Sequence, residues 1–140
     1  MQLSDHFSLS ELTVTNTGLP NDPSPEIREA LRETAQFMEG VRDFLGHPIH
    51  VNSGYRSPAV NRAIGGSKTS AHMLGYAVDF TCPGYGSPLD VARALRDSGI
   101  KFDQLIREYG WVHISRDPRA RQELWTKVSA EAHMEPGIIA

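Results

Sequence analysis

The stretch Ser70-Ala71-His72-Met73-Leu74-Gly75-Tyr76-Ala77-Val78-Asp79 constrains this chain more than any other. Its end, Tyr76-Ala77-Val78-Asp79-Phe80, alternates and reads as a strand. Tyr76, Val78 and Phe80 fall on one face, Ala77 and Asp79 on the other. A carboxylate set into an apolar strand needs a partner or a metal. His72 lies seven residues before it. Fully extended, that length spans roughly 23 Å, so a shared ion requires the chain to fold back between the two groups. Gly75 is where a tight turn costs least. Imidazole and carboxylate are both ligands for zinc, and Ala77 leaves space beside such an ion.

A third ligand is expected from a neighbouring strand, and Trp111-Val112-His113-Ile114-Ser115 offers one. With Val112 and Ile114 turned to the core, Trp111, His113 and Ser115 fall on the opposite, accessible face. His72, Asp79 and His113 then make three protein ligands with a fourth position open to water, the mark of a catalytic rather than a structural zinc. Taken singly, His72 reads as a loop histidine and His113 as an outward-facing one; their joint spacing with Asp79 points to a metal. His6, His47, His50 and His133 have no such partners and read as ordinary.

The rest of the chain reads as a scaffold of α+β type. The 140 residues suit a single domain, 1–140, that buries a core without staples. Residues 1–24 read as an extended wrap anchored by Phe7, Leu9 and Leu12, with one possible helical turn at 8–12. Ser24 as N-cap, Pro25 at the first position and Gly46 as terminator bound a helix over 25–45. Ile27, Leu31, Met38, Val41 and Leu45 form its apolar stripe, widened by Ala30, Phe37 and Phe44. Strands are expected at 48–53, 76–81, 103–108 and 111–115, a short helix after Pro58, and a helix over 88–98 capped by Ser87. Leu124, Trp125 and Val128 suggest a last strand or turn, and residues 129–140 a tail.

Composition narrows the partners. A net charge of −3 gives no sign of nucleic acid or an anionic membrane. Cys82 is alone, so no intrachain disulfide forms. The segment Met1-Gln2-Leu3-Ser4-Asp5-His6-Phe7 lacks a basic n-region and an apolar h-region, so no signal peptide is expected. No apolar run approaches the ~20 residues of a membrane span.

Three segments, in this order, resemble the zinc D-Ala-D-Ala carboxypeptidase family. They are Ser-Gly-Tyr-Arg-Ser-Pro at 53–58, Ser-x-His-x-x-Gly-x-Ala-x-Asp at 70–79, and Glu108 followed by Trp-Val-His at 111–113. The family includes vancomycin-resistance D,D-dipeptidases and phage endolysins, and it shares its fold with the hedgehog signalling domain. The resemblance implies a small antiparallel sheet with flanking helices, and zinc on His72, Asp79 and His113. It implies Glu108 as general base, Arg56 on the oxyanion or the substrate's carboxylate, and Ser70 as a hydrogen-bond partner of substrate. Several members carry the base three residues before the last histidine ligand; here that position is Gly110, and Glu108 lies five before His113. Asp103 is the alternative acid. The implied substrate is a peptidoglycan stem peptide, cut by a monomer. The missing leader and the small size suggest a phage or prophage lysin, made in the cytoplasm and released to the wall by a separate pore-former. An L-Ala-D-Glu or D,D-endopeptidase of the same fold is one rival, and a catalytically silent zinc-binding module is another.

Overall fold

The computed structural model describes residues 1–140 as an α+β fold built on one six-stranded sheet. The short helix α1, Leu9–Leu12, is closed by a capping box between Ser8 and Glu11. The long helix α2, Pro25–Leu45, begins where Ser24 Oγ accepts from the Ile27 N–H and ends at Gly46, in the left-handed conformation. It buries Leu31, Thr34, Ala35, Met38, Val41 and Leu45. Each fully buried leucine or methionine of that stripe contributes on the order of 2 kcal/mol. Phe44, expected on the stripe, is exposed instead, and Thr34 takes an inward place.

The strands are β1 (His50–Ser53), β2 (Ala77–Thr81), β3 (Gln104–Arg107), β4 (Val112–Ser115), β5 (Glu123–Thr126) and β6 (Glu135–Pro136), in the spatial order β1-β2-β4-β3-β5-β6. Helix α3, Pro58–Ala63, follows β1, and helix α4, Pro88–Arg96, follows β2. The expected antiparallel sheet holds for every pair except β3 and β5, which run parallel. Leu31, Met38, Val41, Val91 and Leu95 from α2 and α4 pack with Val78, Phe80, Leu105, Val112 and Ile114 into one core. The helices thus cover one face of the sheet, and the alternation of each strand sends the intervening side chains to the other.

Residues 129–140, read from sequence as a tail, return to the sheet. β6 pairs with β5, Gly137 N–H donates to Leu124 O (2.8 Å), and Ile138 is buried in the core. No helix is long and apolar enough to cross a membrane.

Candidate metal centre

The strand register assembles the site. Asp79 of β2 sits opposite Ser53 of β1 on one side and His113 of β4 on the other; His113 in turn faces Ile106 of β3. Directly opposed residues share a face, so Asp79 and His113 point together away from the helices. A bulge in β1 between Val51 and Ser53 shifts the register. Gly54 follows directly, and its carbonyl reaches His72.

His72 comes from the 3₁₀ turn Ala71–Leu74. Ser70 Oγ caps this turn by accepting the His72 N–H (3.2 Å), and Gly75 ends it at φ 77°, where a side chain would be strained. This is the fold-back that the spacing of His72 and Asp79 demands. Thr34 of α2 holds it in place: Thr34 Oγ1 donates to Gly75 O (2.6 Å) and accepts from Arg116 Nε (2.7 Å).

His72, Asp79 and His113 are all buried and form the group of side chains able to hold a metal ion. His72 Nδ1 donates to Gly54 O at 2.7 Å, which leaves Nε2 with its lone pair. That nitrogen faces Asp79 Oδ1 at 3.2 Å yet makes no hydrogen bond. His113 Nδ1 lies 3.0 Å from the same oxygen. A buried lone pair aimed at a carboxylate oxygen is what a shared cation resolves. A tetrahedral ion with bonds of about 2.0–2.1 Å holds its ligands roughly 3.3 Å apart, close to these separations. Two imidazoles and one carboxylate are a donor set suited to zinc. Burial pushes the Asp79 carboxyl up, but the two histidines outweigh it and hold it well below the usual carboxylate range. Burial drives His72 down, against the pull of Asp79, which keeps its imidazole neutral and ready to ligate.

The other sequence-derived candidates surround this trio in one cleft of about 1190 Å³. Arg56 donates from Nη2 to Ser70 Oγ (3.3 Å), and its Nε is buried without a partner. Burial lowers the pKa of its guanidinium, while Asp79 and Glu108 act to raise it. Glu108 stands at the end of β3, where its N–H donates to Trp111 O (3.0 Å) and closes the Tyr109–Gly110 turn. Its Oε2 accepts from Trp111 Nε1 (2.9 Å), and the Trp111 ring packs edge-on against Tyr109 at 4.6 Å. Burial raises the Glu108 carboxyl and Asp79 raises it further, against His113, Trp111 and Lys127. Asp103 lies along the same cleft but is committed elsewhere. Arg121 grips it through Nε and Nη2, each at 2.8 Å, and holds its carboxyl below the ordinary range. Ser115, expected on the accessible face with His113, is fully buried, with Oγ accepting the Gln104 N–H.

Sequence reasoning missed the residues that hold the site's backbone. Thr34 is one; its inward place in the α2 stripe is the only signal. Asn21 is another: Nδ2 donates to Thr13 O and Tyr55 O (2.9 Å each), and Oδ1 accepts the Ser57 N–H. It ties the wrap to the Gly54–Ser57 segment that carries Arg56.

Two imidazoles and a carboxylate, converging in an open cleft with a second carboxylate and a guanidinium, define a metal-dependent hydrolase of the zinc-peptidase kind. Residues 5–115 match the family described as Peptidase M15, and the chain belongs to that family of zinc-dependent peptidases. No curated protein sequence matches the chain.

Proposed function

We propose that the chain hydrolyses peptidoglycan stem peptides as a zinc D,D-carboxypeptidase acting at the cell wall. The observation that carries this reading is the placement of Glu108 and Arg56 in one cleft with His72, Asp79 and His113. His72, Asp79 and His113 would hold the zinc ion, which would supply a Lewis acid for the scissile carbonyl and lower the pKa of the attacking water. Glu108 takes the proton of that water and returns it to the leaving amine. Trp111 fixes Glu108 through Oε2, which leaves Oε1 for the proton. Arg56, with a buried and unpartnered Nε, offers a fork to the developing oxyanion or to the substrate's terminal carboxylate. Ser70 orients that fork and caps the turn of His72.

A second reading rests on the shape of the cleft. It continues beyond the trio in both directions, to Val14 and Asn16 at one end and to Lys127 and Met134 at the other. Room on both sides of the scissile bond suits an endopeptidase of the same chemistry.

Mass spectrometry of digested stem peptides separates the two: loss of one terminal alanine supports the carboxypeptidase, and an internal cut supports the endopeptidase. Glu108→Ala is expected to keep zinc and lose about 10²- to 10⁴-fold in turnover. Full hydrolysis by that variant would remove Glu108 from the reaction.

A further inference from the structure

The cleft has a cationic pole that the chemistry above does not use. Lys127 directly follows β5, and its N–H donates to Arg107 O (2.8 Å), so the β3/β5 register runs one step past Thr126 and sets Lys127 beside Glu108. Lys127 is half-buried and lines the cleft. The other two cations of this wall are spent: Arg119 pairs with Asp117 at 2.9 Å and Arg121 with Asp103 at 2.8 Å. Lys127 makes no ion pair and no side-chain hydrogen bond. Glu108, its nearest strand neighbour, gives its Oε2 to Trp111 instead. Arg56 follows β1, which flanks the β2/β4 pair on the side away from β3 and β5, and it sits against Ser70 and His72. The cleft therefore carries one cation without a carboxylate partner on each side of the trio.

Distance decides what the second cation can read. From β4, which carries His113, to β5 is two strand spacings, roughly 10 Å. Substrate crossing the strands at about 3.3 Å per residue covers that in roughly three residues, fewer once the lysine's own reach is counted. With Arg56 taking the substrate's terminal carboxylate, which lies on the leaving-amine side, the Lys127 side is the acyl side.

We propose that Lys127 is a specificity residue that reads a carboxylate carried by the substrate roughly two or three residues to the acyl side of the scissile bond. The inference rests on the stem-peptide reading above. In such a peptide the α-carboxylate of a γ-linked D-glutamyl residue has this character, and its carboxamide form lacks the charge.

The test uses two synthetic stem peptides that differ only in that group, free acid against carboxamide, with the zinc-loaded enzyme. Wild type is expected to prefer the acid by roughly fivefold in kcat/KM. Lys127→Met brings the ratio to about one, Lys127→Arg keeps it, and Lys127→Glu inverts it. Because both peptides share the scissile bond, the ratio cancels any effect that Lys127 exerts through Glu108. An unchanged preference in Lys127→Met overturns the proposal. A wild type that cleaves neither peptide refutes the stem-peptide reading instead. Calorimetric titration of the same two peptides then decides the proposal separately: a Kd preference for the acid that Lys127→Met abolishes supports it, and equal values in both proteins sink it.

Discussion

Gly54→Ala tests whether the candidate metal centre depends on a backbone carbonyl that aims one of its histidines. A Cβ at position 54 would lie 2.5 Å from Leu12 O and 2.9 Å from Leu12 C and Cα. All three are backbone atoms, so no rotamer relieves the clash. Two bonds also pin the segment, Tyr55 N–H to Leu12 O (2.7 Å) and Asn21 Nδ2 to Tyr55 O (2.9 Å). Residues 53–55 must then shift away from α1 and break at least one of these bonds. Overpacking of this kind costs about 1–3 kcal/mol, or roughly 5 °C in melting temperature for a domain of this size. The same shift carries Gly54 O away from His72 Nδ1, which it meets at 2.7 Å. Losing the partner that orients a ligating histidine weakens metal binding by roughly 10- to 100-fold. Competition against a chromogenic chelator reads the zinc affinity, and thermal melting with and without zinc reads the stability. Gly40→Ala is the control: it lies in the middle of α2 with nothing within 4 Å of its added carbon, and a gain of about 0.5–1 kcal/mol is expected there. If Gly54→Ala binds zinc as wild type does and melts at the same temperature, the carbonyl of Gly54 does not position His72.

Thr34→Val leaves a buried carbonyl at Gly75 without its donor and Arg116 Nε without its acceptor. The expected cost is about 1–3 kcal/mol by denaturant titration, with zinc affinity falling in parallel because Gly75 turns the chain between two ligands; Thr34→Ser restores both. Asp103→Asn loosens the loop that Arg121 anchors, where Ala120 and Gln122 hold positive φ, and about 2 kcal/mol of stability is expected to go. The Asp103 pKa is depressed in the fold, so its contribution is complete above the unfolded value of about 3.9 and fades as pH falls through the folded one. The gap between wild type and Asp103→Asn should therefore be full at pH 7 and narrow below about pH 4; a gap that widens on acidification contradicts the ion pair. Glu108→Ala, with zinc retained and hydrolysis lost, completes the set.

Asp79 and His113 were legible as candidate ligands because strand alternation is a strong code, and His72 through its spacing from Asp79. Once Val78 and Phe80 go inward, Asp79 cannot, and once Val112 and Ile114 go inward, neither can His113. One register then brings the two together. Ser115 shows the limit of that code, since it shares the face of His113 yet is covered by β3 through the Gln104 N–H. The parallel pairing of β3 with β5 left no local trace, because β4 intervenes in sequence and no hairpin turn marks it. The return of residues 135–138 to β5 was hidden for a related reason: only Ile138 is apolar enough to announce it, and two paired residues make no period.

What the sequence concealed around the metal has a common chemistry. Thr34 serves Gly75 O, Asn21 serves Thr13 O and Tyr55 O, and Gly54 O serves His72. In each case at least one partner is a backbone carbonyl, which every residue type supplies, so half of the pair is invisible in the letters. The side-chain half is a small polar group far away in sequence, 41 residues for Thr34 and Gly75, and such a group more often signals a turn or a cap. Candidate ligands can therefore be read from residue type and period, whereas the atoms that aim them are fixed by tertiary contacts. This is why the substitutions expected to be most informative here, at Gly54 and Thr34, replace none of the three metal-site residues and change no charge.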